Sequence, residues 1–312
     1  MDVYYIIPCY KSEHTLQAII AEIATTMQAT RNTYEVVLVN DCSPDNTWAV
    51  INELCAVYPN ITGINFAKNA GQHAALMAGF RVACGEVVVC LDDDGQTPPS
   101  EAPKLLAAIQ NGADAAYACY PAKKHSAFRN WGSRINDLMT RWLLSKPKDL
   151  FVSSYFAVRR FVVEEIKRYD NPYPYIIGLV LRATSNIVNV DIQHKVRLQG
   201  ASGYTLGKLF SLWLNGFTSF SVKPLRAASL LGAFVSIIGL VAAIVVIINK
   251  LLHPEVPMGW SSTICVLLFV GGMLMLMLGL VGEYVGRLYI SANKSPQYVV
   301  RETIGGKPEA KK

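Results

Sequence analysis

No two of the seven cysteines form a CxxC pair, and an odd set cannot be fully paired. Neither a zinc site nor a disulfide framework is therefore expected. Cys9, Cys42, Cys55, Cys84, Cys90, Cys119 and Cys265 read as free thiols, mostly buried in apolar strand or helix context. The amino terminus lacks a basic stretch ahead of an apolar one, so no signal peptide is expected. Residues 1–199 also lack net charge, with 19 Lys and Arg against 19 Asp and Glu. That balance argues against nucleic acid as a partner. Internal repeats are absent, as are low-complexity tracts ahead of the basic tail.

Charge is missing altogether from two long segments. Ala227–Ile248 is 22 residues of AASLLGAFVSIIGLVAAIVVII, and Met258–Gly282 is a second such run. Each is long enough to span a hydrocarbon core, and a Pro-containing linker, Lys250–Pro257, joins them. Two helices in a hairpin is the economical reading, because runs this long without a polar face do not suit a soluble core. The net charge of +6 falls wholly in residues 200–312. Lys223 and Arg226 precede the first run, while Arg287, Lys294, Arg301, Lys307, Lys311 and Lys312 follow the second. The positive-inside rule then places both termini in the cytoplasm, with basic flanks suited to anionic membrane lipids. The expected organisation is a catalytic-size domain over 1–205, an interfacial amphipathic segment over 206–226, spans over 227–249 and 258–282, and a basic cytoplasmic tail over 283–312.

The first 120 residues alternate strand and helix. Strands are expected at Val3–Ile7, Tyr34–Val39, Ile61–Phe66, Glu86–Leu91 and Asp114–Tyr120. Helices are expected at His14–Thr30, Thr47–Tyr58, His73–Cys84 and Ser100–Asn111. This order implies βαβ units and a mostly parallel α/β sheet. Pro8-Cys9-Tyr10, Asp41, Asn69 and Asp92–Asp94 would then gather along one sheet edge. The sharpest signal is EVVVCLDDDGQTPP, Glu86–Pro99: a strand buried on both faces that ends in three aspartates. In open α/β sheets the carboxyl edge is where ligands bind. Adjacent carboxylates repel unless a cation compensates, and Mg²⁺ or Mn²⁺ carrying substrate phosphates is a natural compensator. A solvated acidic turn is the plainer alternative. Beyond Tyr120 the pattern weakens: Phe128–Leu144 reads as a helix, and the aromatic-rich Leu206–Val222 as one that lies at a membrane interface.

Several segments, in order, resemble glycosyltransferase family 2 with the GT-A fold, and within it the bacterial polyprenyl-phosphate glycosyltransferases related to dolichol-phosphate mannose synthase. They are Ile7-Pro8-Cys9-Tyr10, the Val39–Thr47 turn (VNDCSPDNT), Asn69–Gly79 (NAGQHAALMAG), Asp92–Pro99, Arg197 with Gly200, Ser202 and Tyr204, and Gly279–Tyr289 (GLVGEYVGRLY). The family commonly has glutamate where Ser12 stands, with Glu13 one place later. It commonly has lysine where Gly203 stands, and Lys208 or Lys195 could substitute.

The resemblance implies a GT-A (nucleotide-diphospho-sugar transferase, Rossmann-like) domain followed by a two-helix transmembrane hairpin. It implies metal-dependent, inverting transfer of one sugar from a nucleotide sugar, with UDP the default carrier, to polyprenyl phosphate. The place of action would be the cytoplasmic face of a bacterial inner membrane, and the product would serve cell-envelope glycan modification. Asp94 would be the principal ligand of Mg²⁺ or Mn²⁺, with Asp92 and Gln96 contributing. Pro8, Tyr10, Asp41, Asn69, Asp92 and Asp93 would meet the nucleotide. Asp93 is set apart from the metal ligands because adjacent strand residues face opposite ways. Taken alone, Asp41 reads as an Asx-turn residue. A lipid phosphate is already anionic, so its attack needs no general base. Arg129, Arg134 and Arg197 become phosphate-binding residues on this reading, and a homo-oligomer is implied by the resemblance alone. A processive polysaccharide synthase is the main alternative; such enzymes carry QxxRW and more spans, where this chain has Gln193–Leu198 (QHKVRL). A non-catalytic scaffold or flippase partner is the other.

Overall fold

The computed structural model describes residues 1–30, 32–120, 147, 149–193, 223–252, 259–293 and 295–306. The chain divides into two compact units, 1–205 with 294–312, and 206–293. In the first, strands β1 (Asp2–Cys9), β2 (Thr33–Asn40), β3 (Ile61–Phe66), β4 (Val87–Cys90) and β5 (Ala115–Cys119) alternate with helices α1 (Leu16–Thr30), α2 (Thr47–Val57), α3 (Gln72–Val82) and α4 (Ala102–Gln110). These are the expected elements, with ends moved by a residue or two. Beyond them lie β6 (Phe156–Arg159), α5 (Arg160–Lys167), α6 (Ile176–Ala183), β7 (Ile187–Asp191) and β8 (Val300–Gly305), which the sequence pattern did not resolve.

The eight strands among the described residues form one sheet, ordered β7-β5-β6-β4-β1-β2-β3-β8. β1 pairs in parallel with β2 and β4, β2 with β3, and β5 with β7. β6 runs antiparallel between β4 and β5, and β8 antiparallel on β3. The chain steps outward from β1 to β2 and β3, then returns to place β4 on the other side of β1. That reversal makes β1 and β4 the topological switch point, where strand ends splay and leave a crevice.

The sheet separates two cores. On one face Leu16, Ile23, Ile51, Leu105 and Ile109 of α1, α2 and α4 pack on Tyr5, Ile7, Leu38 and Val89. On the other, Ala75 and Ala78 of α3 pack on Val37, Val39, Ile64 and Phe66. Small residues let α3 sit close to the strands. A Cβ on Gly79 would stand 2.3 Å from Ile6 Cγ2, so only glycine fits there.

The basic tail, expected over 283–312, carries structure that the sequence reading did not assign: from residue 294 on it belongs to the first unit. Tyr298 stacks on Phe66 with ring centroids 4.9 Å apart, and Gln297 Nε2 donates to the carbonyls of Tyr169 and Asn171, both at 2.9 Å. Backbone pairing along β8 then completes the sheet edge, because an open β3 edge would leave its N–H and C=O groups unpaired. In the second unit α7 (Lys223–Leu252) and α8 (Trp260–Ala292) are the expected hairpin helices, both longer than the uncharged runs. Phe269–Ala292 is long and apolar enough to cross a membrane by composition, and Ala228–Gly239 is a shorter apolar stretch. The interfacial segment and the Phe128–Leu144 helix lie outside the described residues. The six cysteines described are free, but fewer are buried than expected: Cys9 and Cys90 are buried, Cys42, Cys55 and Cys119 are half-buried, and Cys84 is exposed.

Candidate active site

β4 is four buried apolar residues, VVVC, whose parallel partner is β1. Its register against β1 fixes where the chain leaves the sheet. Asp92, Asp93 and Asp94 therefore emerge at the switch point, opposite the loop that follows β1. Each carboxylate is held differently. The Asp93 carboxylate turns to the β1 loop, where it accepts the Tyr10 N–H at 2.9 Å and the Ser12 hydroxyl. Its carbonyl accepts the Thr15 hydroxyl at 2.6 Å. Asp92 turns the other way: Gln72 Nε2, at the start of α3, donates to Oδ1 at 2.8 Å, and the Ser154 hydroxyl donates to Oδ2. Asp94 Oδ1 accepts the Gln96 N–H at 3.0 Å.

Burial pushes the Asp92 carboxyl up to about 6, and the neighbouring Asp94 and Asp93 charges add to the rise against the hydrogen bonds from Ser154 and Gln72. Asp93 is raised too, chiefly by burial, with Ser12 and the Tyr10 N–H opposing. Crowded acids that resist ionisation are what a bound cation would relieve. Among the described residues no three His, Cys, Asp or Glu side chains converge as a ready metal cage. This donor set still fits Mg²⁺ or Mn²⁺, since such ions commonly take one or two carboxylates and fill the remaining positions with water and substrate phosphates.

Two further loops border the crevice. Asp41, at the end of β2, is 4% exposed, and its carboxylate accepts the N–H groups of Ala70 at 2.6 Å and Gly71 at 2.8 Å. Burial raises its pKa, and the two backbone hydrogen bonds work against that. Asn69 Nδ2 donates to the Asp41 carbonyl at 3.0 Å. The expected nucleoside-binding carboxylate thus already ties the β2 loop to the β3 loop. Gly71, at φ 89°, turns the chain into α3 in a conformation that a side chain would strain. Lys11 (φ 60°) and Cys42 (φ 52°) adopt the left-handed region without being glycine, one in each of the β1 and β2 loops. Backbone strain of this kind gathers at binding sites and persists only when its surroundings hold it. Here Lys11 N–H donates to Ser43 Oγ at 2.7 Å, and Ser12 N–H to Thr47 Oγ1 at 2.9 Å.

The fold thus brings Pro8, Tyr10, Asp41, Asn69, Asp92, Asp93, Asp94 and Gln96 to one edge of the sheet. Pro8 is buried in β1, whereas the Tyr10 ring is 47% exposed and open to a ligand. Arg129, Arg134 and Arg197 lie outside the described residues. Ser12, Thr15, Gln72 and Ser154 are contacts that the sequence reading did not assign. Gln72 stood within the NAGQHAALMAG segment but carried no role, and Ser12 had been noted only as a departure from the family. Nothing in the sequence marks Ser154.

An acidic strand end at the switch point is the ligand-binding edge of an open α/β sheet. The chain belongs to glycosyl transferase family 2, whose model matches residues 4–167, and the GtrB C-terminal hairpin model matches residues 223–288. It is a glycosyltransferase with a GT-A domain. It is similar to the uncharacterised glycosyltransferase YkcC of Bacillus subtilis (strain 168), at 30% identity over 304 residues, 96% of this chain and 93% of that one. It is 29% identical over 307 residues to an undecaprenyl-phosphate 4-deoxy-4-formamido-L-arabinose transferase of Serratia proteamaculans (strain 568), covering 97% and 94% of the two chains. Among solved structures it resembles glucosyl-3-phosphoglycerate synthase from Mycobacterium tuberculosis, with TM-score 0.48, 16% identity, and 68% of this chain and 76% of that one covered.

Proposed function

We propose that this protein transfers a single sugar, with inversion, from a nucleotide-diphosphate sugar to a polyprenyl phosphate at the cytoplasmic face of the membrane. UDP is the default carrier. The observation that carries the reading is the run Asp92–Asp94 at the switch point, facing the loops after β1 and β3. The named function of the Serratia relative, similar over nearly its whole length, supports undecaprenyl phosphate as the acceptor. The apolar helix Phe269–Ala292 and the hairpin match suit a membrane-resident acceptor. Both helices would cross the bilayer, leaving the catalytic domain and both termini in the cytoplasm.

In the reaction the bond from the anomeric carbon to the diphosphate breaks, and a lipid-phosphate oxygen bonds to that carbon from the opposite face. Nucleoside diphosphate and polyprenyl-phosphate sugar are the products. Mg²⁺ or Mn²⁺ held by Asp92 and Asp94, with Gln96 beside them, would neutralise the charge that builds on the leaving diphosphate. Asp93 orients the β1 loop, so that Pro8 and the Tyr10 ring can border the nucleoside, while Asp41 and Asn69 fix the facing loop. The acceptor phosphate is anionic at neutral pH, so its oxygen attacks without losing a proton. Arg129, Arg134 and Arg197 are the residues proposed to receive phosphate, because guanidinium forks match its oxygens.

Transfer of radiolabel from a panel of nucleotide sugars to undecaprenyl phosphate, in detergent with Mn²⁺ or Mg²⁺, tests the proposal. Label in the organic phase, lost with chelator and in Asp94→Ala, is the expected result. A folded, metal-supplied protein that labels no lipid from any donor would overturn it.

A further inference from the structure

We infer that Glu302, on the strand following the α7–α8 hairpin, is a positioning residue for the donor-binding loops. It sets the direction of a row of amides that ends at the loop after β2. The inference rests on reading those loops as the nucleotide-sugar site.

Asn40, Asn65 and Glu302 are direct neighbours across β2, β3 and β8. Asn65 Nδ2 donates to Glu302 Oε1 at 3.0 Å, and Asn40 Nδ2 donates to Asn65 Oδ1 at 2.9 Å. The Ser43 N–H then donates to Asn40 Oδ1 at 3.2 Å, and the Lys11 N–H donates to Ser43 Oγ at 2.7 Å. Asn40 and Asn65 are 2% and 6% exposed, so water does little to satisfy them.

A primary amide has a donor end and an acceptor end, so a row of two can run in either direction. The termini decide which. The Ser43 N–H can only donate, and an ionised carboxylate can only accept. With Glu302 at the far end, one direction satisfies every group. The reverse direction sets the Asn40 NH₂ against the Ser43 N–H. Beyond Ser43 lie the two strained turns, Cys42 and Lys11, whose left-handed backbone depends on such support. A carboxylate far along the sequence, on the tail strand, thereby shares in holding both loops that flank the aspartates.

The Glu302 side chain is exposed, and β8 is docked by other means: its backbone ladder, the Tyr298–Phe66 stack and Gln297. Substitution at Glu302 therefore separates the direction of the row from the docking of the strand.

The experiment compares full-length wild type, Glu302→Gln and Glu302→Lys in detergent. Donor KM, kcat and hydrogen exchange of the backbone amides are measured for each. Glutamine keeps an acceptor oxygen and preserves the row; lysine only donates and reverses it. Glu302→Gln should keep donor KM within about twofold, and Glu302→Lys should raise it about tenfold, with kcat far less affected. Exchange should quicken at Ser43 and Lys11 in the lysine variant while the β3 and β8 amides stay protected. Unchanged KM and exchange in Glu302→Lys would overturn the inference. So would equal impairment in both variants, or loss of β8 protection alongside the defect. If the wild type itself transfers no sugar, the functional reading falls, and the exchange comparison still decides whether Glu302 directs the row.

Discussion

His73, in the first turn of α3, has a buried Nδ1 without a hydrogen-bond partner, and its ring meets Tyr175 edge-on at 5.1 Å. Burial lowers its pKa from 6.5 to about 4, because the imidazolium would lose its hydration there. The folded protein holds this ring neutral, whereas the unfolded chain takes up a proton as pH falls through 6.5. Stability from this group is therefore whole above pH 6.5 and is lost progressively towards pH 4. At pH 5 the loss amounts to about 2 kcal/mol, and at pH 7.5 it is close to nil.

His73→Phe keeps the ring and its contact with Tyr175 while removing both the titration and the unpartnered nitrogen. At pH 7.5 the variant should match wild type or be more stable by up to ~1 kcal/mol, the relief of an unsatisfied buried acceptor. At pH 5 its advantage should grow by about 2 kcal/mol. Urea unfolding of both proteins in a mild non-ionic detergent, with chelator present, measures this at the two pH values. The carboxylates common to both proteins cancel in the difference. Equal pH dependence in wild type and variant would refute the reasoning, because it would mean the imidazole is hydrated or paired in the folded state.

Three further outcomes follow from the site and the sheet edge. Asp92→Asn should lower sugar transfer by about a thousandfold, the scale of losing a main electrostatic contact, without lowering the unfolding temperature in chelator, since a crowded acid has been removed. Asp41→Asn leaves one acceptor oxygen for the N–H groups of Ala70 and Gly71, so it should cost about 1–3 kcal/mol in urea unfolding and raise donor KM. Tyr298→Ala uncovers Phe66 and should destabilise by roughly 2 kcal/mol, with proteolysis of the tail as an independent readout.

How much of this was legible depended on what each segment had to do by itself. β1 to β5 are apolar runs, α1, α2 and α4 each bury one stripe while α3 is buried continuously from Ala74 to Phe80, and the alternation of strand with helix found them all. β6 is four residues long, and its place between β4 and β5 comes from antiparallel partners remote in sequence. β8, VRETIG, is mostly exposed and lies among lysines, so its composition reads as tail; only the open edge of β3 makes it a strand. The second span was bounded at Gly282, where the uncharged run ends, and the helix that carries it continues to Ala292.

At the site, the aspartates were legible because a buried strand followed by acid is a strong contrast. Strand alternation also separated Asp93 from Asp92, which do turn opposite ways although β4 itself ends at Cys90. The roles of the hydroxyl and amide partners were not legible, since Ser12, Thr15 and Ser154, and Gln72 at the start of α3, are ordinary polar residues until the fold brings them to the carboxylates. Ser12 shows why a departure from a family pattern is not simply a loss. A glutamate there would set one more carboxylate against Asp93, whereas the serine hydroxyl donates to it. Glu13, one place on, accepts the Asn46 N–H at 3.0 Å and ties the β1 loop to the start of α2. The acid has moved by one residue, and at the aspartates a hydroxyl donor stands where like charge would have repelled.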